Sequence, residues 1–211
     1  MINLVLAEAE LELVPEKVWN DPCVQLHSKF RKKRPYQMLL DASHFPQAVK
    51  KLEGADRRGR PDIIHRFMLL ALDSPIARRG QLKLWIHTRN NLVIDVKSGT
   101  RPPRHYDRFV GLMEQLLVEG ELKNGRMSLL DLDLKHLLVT LPKPVYVMDP
   151  SGQPTKPDFW VGRTGGTYVI GGFSEGGFQQ NPVPSTSRYS LSRQELTSTA
   201  VLALLTGWWE L

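Results

Sequence analysis

The chain has 211 residues, of which 41% are hydrophobic and 24% charged, and its formal net charge is +6. Those values suit one large α/β domain, with or without an insertion, and exclude wholesale disorder. The longest apolar runs, at residues 67–72 and 201–205, are far too short to span a bilayer, so no membrane partner is expected.

In chain order, residues 3–14 read as an opening strand or strand pair closed by Pro15. Residues 1–16 lack the basic leader and continuous apolar stretch of a signal peptide. Residues 21–33 read as a helix with Asp21 as N-cap and Pro22 at its first position. After the run Arg31-Lys32-Lys33-Arg34, residues 37–40 read as a short strand leading to Asp41, and residues 42–52 as a helix. A polar, glycine-containing loop is expected at 54–60, then a mostly buried helix over 62–72, stopped by Asp73-Ser74-Pro75. Residues 81–87 and 92–96 alternate and flank Thr88-Arg89-Asn90-Asn91, which predicts a β-hairpin. Phe109, Leu112, Met113, Leu116 and Leu117 follow a helical period with one core face.

In the second half, residues 137–141, 145–148 and 167–170 are short strand candidates separated by Pro or Gly. Ser192 and Glu195 form a capping-box pattern, with Leu191 and Leu196 at the staple positions of a last helix. Leu196, Ala200, Leu204 and Trp208 line one stripe of it, which must bury against the core or a second copy of the chain.

The charge is unevenly spread. From Lys29 to Arg108 there are 19 Lys and Arg against 7 Asp and Glu, whereas the remaining residues hold 9 against 15. That asymmetry points to a polyanionic partner, RNA or DNA rather than membrane; the alternative is a solvated basic surface. Cys23 is the only cysteine and no Cys/His spacing resembles a zinc site, so neither a disulfide nor a metal is expected, and a reducing intracellular compartment is.

Three constellations could carry chemistry. In Gly59-Arg60-Pro61-Asp62, Pro61 sets a helix start, and Asp62 can accept the Arg60 guanidinium and hold it for a phosphate or base edge. In Arg101-Pro102-Pro103-Arg104-His105-Tyr106-Asp107-Arg108, the prolines stiffen the entry to a helix. Arg104 and Arg108 share a face if both are helical, and three arginines near a helix N-terminus favour a bound anion. Gly171 and Gly172 follow a strand candidate, where glycine lets a ligand approach the backbone. The glycines 162–177 form neither a Walker loop nor a Rossmann fingerprint. No nucleophile stands out: Cys23 with His27 reads as incidental, and the other histidines as structural or solvated. That suits a transferase that aligns two reactants.

Gly59-Arg60-Pro61-Asp62-Ile63-Ile64-His65, Leu72-Asp73-Ser74-Pro75 and Arg101-x-Pro-Arg104-x-x-x-Arg108-Phe109-x-Gly111-Leu112-Met113-x-Gln115-Leu116-Leu117 occur in this order. Together with Leu39-Leu40-Asp41-x-Ser43-His44, they resemble the Nep/Emg family of ribosome-biogenesis methyltransferases, strongly over residues 39–117 and loosely elsewhere. The resemblance implies a single SPOUT-class α/β domain over residues 1–211, with a C-terminal trefoil knot and a family-specific β-hairpin or insertion. Its RNA-binding region would lie at about 54–110 and its knotted cofactor region at about 135–211.

The same resemblance implies S-adenosylmethionine as cofactor, a homodimer, and methylation of N1 of a pseudouridine in small-subunit rRNA during ribosome biogenesis. Ribosomal proteins or assembly factors are further implied partners, and the implied location is the cytoplasm, or the nucleolus of a eukaryote. By the resemblance, Arg60, Arg101, Arg104 and Arg108 contact RNA, and Arg60 and Asp62 are catalytic. Arg60, held by Asp62, would stabilise negative charge on the base; Asp62 as a direct base is less attractive beside an arginine. The cofactor would meet Leu138 and Thr140 near the end of one strand, Gly171, Gly172 and Gly176 after a later one, and Ser187, Arg188, Tyr189, Ser190, Leu191 and Ser192 before the last helix. Tyr189-Ser190-Leu191 lacks a proline associated with this position in the family. The rival readings are a non-enzymatic rRNA-binding assembly factor and a nucleotide-dependent enzyme using the glycine loop; the missing Walker lysine argues against the second.

Overall fold

The computed structural model describes residues 1–181 and 187–211. Seven strands form one sheet: β1 (Ile2–Ala9), β2 (Leu82–Thr88), β3 (Leu92–Val96), β4 (Met127–Asp131), β5 (Val145–Pro154), β6 (Gly166–Gly171) and β7 (Arg188–Ser190). Their order across the sheet is β4-β3-β2-β1-β6-β5-β7. β2, β1, β6, β5 and β7 run parallel, and β3 and β4 add an antiparallel edge. The helices are α1 (Pro22–Arg31), α2 (Pro46–Val49), α3 (Pro61–Asp73), α4 (Pro75–Arg78), α5 (Tyr106–Glu119), α6 (Leu134–Thr140) and α7 (Ser198–Trp209).

All eight residues of β1 are buried, as a central parallel strand covered on both faces requires. Ile2, Leu4 and Leu6 join one core with Ile64 and Phe67 of α3, Phe109 and Met113 of α5, and Leu202 and Leu205 of α7. Val5 and Ala7 face the other way, onto Leu134, Leu137 and Leu138 of α6. A third, smaller cluster joins Val24 of α1 to Leu40, Phe45 and Val49. The two-residue strand period thus divides β1 between two helical layers.

Asp21 caps α1 as expected, accepting the Cys23 backbone N–H at 3.1 Å. The hairpin, α3 and α5 also stand close to their expected bounds. Five expectations need correction. The opening strand stops at Ala9, where Glu8 has φ 53° and the register with β2 shifts. Residues 37–40 form no strand: a 3-10 turn covers Pro35–Gln37, and only the isolated bridge between Leu13 and Leu39 remains. Helix over 42–52 shrinks to α2, because Pro46 bars Phe45 from helical geometry and can only begin a helix. Residues 137–140 belong to helix α6 and Leu141 is its C-cap; the helix is capped at its start by Asp133, whose carboxylate accepts the His136 N–H at 2.8 Å.

Finally, Ser192 does not cap α7. Its hydroxyl accepts the Gln194 N–H at 3.0 Å in a turn, while Thr197 caps the helix by accepting the Ala200 N–H at 3.3 Å. The buried face is Leu202, Leu205 and Trp209, and Leu204 is exposed. The helix is apolar nearly all round, so its periodicity did not select a face.

Gly172 packs against β1: a Cβ there would lie 2.8 Å from the Ala9 Cα, and its N–H donates to the Ala7 carbonyl at 2.7 Å. Gly172→Ala should destabilise the protein by about 1–3 kcal/mol through overpacking, read as a lower denaturant midpoint at unchanged slope. An unshifted midpoint would show that the strand end yields freely.

Candidate functional site

A cleft of about 510 Å³ opens at the carboxyl ends of β6, β5 and β7, where chain direction across the sheet reverses around β1 and β6. Its walls come from Met148–Pro150 after the first part of β5, from Gly171 and residues 173–178 after β6, from β7 and the turn behind it, and from the start of α7. Apolar Met148, Ile170, Leu191 and Val201 alternate with backbone groups and with Thr197, Ser198 and Thr199, a lining suited to a flat heterocycle with polar edges. Asp149 is fixed at the wall by Arg188, whose Nη1 donates to it at 2.6 Å. Burial raises the Asp149 carboxyl, but Ser151 and Arg188 outweigh that and hold it below its ordinary pKa.

A second cavity of about 330 Å³ is lined by Asp41, Ser43, Gly59, Arg60, Asp62 and Tyr106. Arg60 lines both cavities and so stands at their junction. Its position follows from the chain. Gly59 has φ 68°, and a Cβ there would come within 2.8 Å of the Ala42 nitrogen, so only glycine brings this loop against residues 41–43. Arg60 is then the N-cap of α3, with Pro61 at the first helical position.

Arg60 Nε and Nη2 donate to the two Asp62 carboxylate oxygens at 2.8 and 3.1 Å, a bidentate fork. Arg66, one turn on from Asp62, also donates to it, at the Oδ2 that Arg60 Nη2 uses. Burial raises the Asp62 carboxyl, yet the two guanidiniums prevail and lower its pKa. The sign of the linkage follows: Asp62 contributes stability above the unfolded carboxylate value of about 3.9, lost only as pH falls through its lower folded value. Tyr106 closes the smaller cavity, donating to Asp41 at 2.5 Å; burial and that contact push its phenol well up, so it stays neutral.

The structure brings the Arg60–Asp62 pair and the start of α5 together through α3. His65 Nε2 donates to the Pro103 carbonyl at 2.7 Å, and its ring stacks on Phe109 at 4.6 Å. Arg108 is exposed on the first turn of α5. Arg104 precedes the helix, so it shares no helical face with Arg108; it is exposed and pairs with Asp73 at 3.3 Å. Arg101 lies further back in the same loop and is exposed.

Of the residues expected to meet a cofactor, Gly171, Gly176, Tyr189, Ser190, Leu191 and Ser192 line the larger cleft. Gly172, Ser187 and Arg188 do not, and Arg188 acts through Asp149. Leu138 and Thr140 sit on helix α6 rather than near the end of a strand, with Leu138 buried on the opposite face of the sheet, and neither lines the cleft; Met148–Pro150 of β5 do. Sequence reasoning missed Asp41, Tyr106, Arg66 and Arg57. Only Arg66 was signalled, by its four-residue spacing from Asp62.

Arg57 ties the loop before α3 to the wall of the larger cleft. It donates to Glu8 at 3.1 Å, to Glu10 at 3.2 Å and to the Gly177 carbonyl at 2.8 Å, and lies 4.2 Å from the Phe173 ring centroid. Glu8 also accepts the Gln179 and Gln180 N–H groups at 2.9 and 2.7 Å. Residues 173–180, part of the cleft wall, are thus tied to the loop that carries Arg60.

An α/β protein with a ligand cleft at its parallel strand ends and a carboxylate-held arginine between that cleft and a second cavity is thereby defined. A family profile described as EMG1/NEP1 methyltransferase matches residues 4–210. The ribosomal RNA small subunit methyltransferase Nep1 of Thermococcus kodakarensis is 39% identical over 96% of this chain and 94% of its own, and that of Thermococcus onnurineus is 41% identical over 85% of both. The crystal structure of Archaeoglobus fulgidus Nep1 bound to S-adenosylhomocysteine superposes with a TM-score of 0.87, at 33% identity over 99% of this chain and 96% of that one. The chain belongs to the EMG1/NEP1 methyltransferase family.

Arg57→Ala would leave two buried carboxylates short of a partner and cost about 3–5 kcal/mol. It should also loosen the cleft wall and weaken S-adenosylhomocysteine binding, read by calorimetry below the variant's melting temperature. Unchanged affinity in the folded variant would separate Arg57 from the cleft.

Proposed function

We propose that this chain is an S-adenosylmethionine-dependent methyltransferase that acts on N1 of a pseudouridine in small-subunit rRNA, in the biogenesis of that subunit. The observation that carries the reading is the place of Arg60, which lines both the larger cleft and the smaller cavity. The larger cleft has the size and mixed lining that the cofactor needs, and the fold is similar, at a TM-score of 0.87, to that of a relative whose structure holds S-adenosylhomocysteine. When bound there, S-adenosylmethionine supplies an electrophilic methyl group. Met148, Ile170 and Leu191 would flank its adenine, with Gly171, Gly176, Tyr189, Ser190 and Ser192 offering backbone contacts.

The smaller cavity would receive the flipped base. Arg60, aligned by Asp62, stabilises negative charge that builds on the base as N1 loses its proton. Asp62 stays ionised at neutral pH and, with its lowered pKa, is a weak base; its work is to aim Arg60. Arg101, Arg104 and Arg108 hold the strand by its phosphates; in this reading the RNA-binding region is at about 54–110 and the cofactor region at about 135–211. The trefoil knot over the second region, the hairpin as a family-specific insertion, and a homodimer complete the reading. The exposed Leu204 and half-buried Val201 and Trp208 of α7 support self-association. No helix among the described residues is long and apolar enough to cross a membrane, which fits a cytoplasmic or nucleolar site of work.

Incubation with a pseudouridine-containing small-subunit rRNA fragment and isotopically labelled donor should give one labelled N1-methyl group, located by mass spectrometry. A chain that binds S-adenosylmethionine by calorimetry yet never transfers label would be an assembly factor instead. Asp62→Asn should lower turnover at least tenfold while folding and cofactor affinity persist, and undiminished methylation would remove Asp62 from the mechanism, both as the group that aims Arg60 and as a base. Reversal of Arg101, Arg104 and Arg108 to Glu should abolish RNA binding and spare cofactor binding; loss of both would mark them as structural.

A further inference from the structure

Between Pro22 and Leu40 the chain carries Lys29, Arg31, Lys32, Lys33 and Arg34, and no acidic residue. Arg31 and Lys33 share one counter-charge, the buried Glu114 of α5, at 2.9 and 2.6 Å. Lys29, Lys32 and Arg34 are exposed and enter no ion pair among the described residues. A helix C-terminus attracts cations, which accounts for Lys29 and its neighbours as charges. It does not account for the apolar side chains set among them. Phe30 is 81% exposed, and Leu26, one turn earlier, is 71% exposed. Tyr36 is exposed too, and Arg34 donates to its hydroxyl at 3.2 Å with the guanidinium 6.0 Å from the ring centroid.

The patch adjoins the smaller cavity. The His27 ring of α1 lies 5.0 Å from that of His44 and 5.2 Å from that of Phe45, and His44 follows Ser43 of the cavity wall. On its other flank, Glu114 stands eight residues along α5 from Tyr106, about 12 Å at the helical rise. A strand leaving the cavity reaches α1 within a few nucleotides. Cations without counter-charges, interleaved with exposed aromatic rings, are the chemistry that holds single-stranded nucleic acid: phosphates on the cations and bases on the rings.

We propose that Lys29, Phe30, Lys32, Arg34 and Tyr36 form a second RNA contact, separate from the arginines of the α5 loop, which holds the single strand flanking the target nucleotide. The inference rests on the reading of RNA as substrate. Phe30 stacks a base, the Arg34–Tyr36 pair offers a second platform, and Lys29 and Lys32 take phosphates.

The test compares two synthetic rRNA fragments by fluorescence anisotropy over a range of KCl: one with several unpaired nucleotides on each side of the target, one trimmed to its immediate neighbours. The variants are Lys29→Gln/Lys32→Gln/Arg34→Gln and, separately, Phe30→Ala. All four positions are exposed, and unchanged melting and S-adenosylhomocysteine affinity check the fold. With the long fragment, the triple variant should reduce the slope of log affinity against log salt by about 2, and Phe30→Ala should weaken binding about tenfold. The trimmed fragment should bind both variants as it binds the parent. Equal affinity and slope of parent and variants for the long fragment would overturn the proposal, as would equal losses on both fragments. So would a patch that leaves RNA binding alone but is needed to bind a protein of the ribosomal subunit. If the parent binds neither fragment, the RNA-substrate reading falls and this inference with it.

Discussion

Three buried carboxylates at the end of β1 must be neutralised, and that constraint organises the site. Glu8, Glu10 and Glu12 are 2%, 1% and 4% exposed. Buried charges of one sign are untenable without partners. Arg57 and Arg58 come from the loop before α3, and Arg89 from the hairpin turn. Arg57 bridges Glu8 and Glu10, Arg58 forks onto Glu12 at 2.8 and 2.6 Å, and Arg89 meets Glu10 at 2.5 Å. The loop so drawn in ends at Gly59 and Arg60. Glu8, in a left-handed conformation, also holds the backbone of Gln179 and Gln180, and its own N–H donates to His87 Nδ1 at 3.2 Å. Burial keeps the His87 pKa down, so the ring is neutral and its Nε2–H donates to Asn91. One polar cluster therefore positions the hairpin, the cleft wall and Arg60 together.

The chemistry proposed for Arg60 depends on charge being fixed before substrate arrives. Two guanidiniums grip Asp62, and Asp62 in turn restricts Arg60 to the wall between two cavities. A donor orientated in advance needs little reorganisation as charge develops on a base. Tyr106 and Asp41 line the same small cavity as a neutral hydroxyl and a buried carboxylate in contact, which gives it hydrogen-bonding edges as well as shape. Rigidity behind the site and open space before it are the division of labour expected of an enzyme that works by alignment.

Much of this was legible in the sequence where local physics decides. Pro22 after Asp21 and Pro61 after Arg60 announced helix starts, alternation gave the hairpin, and the two-residue spacing of Arg60 and Asp62 gave their pairing. The failures have definite causes. Residues 137–141 looked like a strand because a short apolar run does not distinguish strand from helix, and the Asp133 cap was overlooked. The capping pattern at Ser192 is real chemistry in the wrong place, since Thr197 caps α7 and the residues between them form cleft wall. The buried state of Glu8, Glu10 and Glu12 has no local signal, since their arginine partners lie more than 40 residues away. Long-range ion pairs leave no periodic trace. The cavity residues Asp41 and Tyr106 are 65 apart in sequence and meet only through the packing of α5.

In the proposed mechanism Arg60 stands between methyl donor and base. A crystal structure of the protein with S-adenosylhomocysteine and a pseudouridine-containing rRNA fragment tests it most directly. The cofactor sulfur is expected in the larger cleft, the flipped base against Asp41 and Tyr106, and the Arg60 guanidinium in contact with the base while still held by Asp62. A base seated elsewhere, with Arg60 turned away from both ligands, would contradict it.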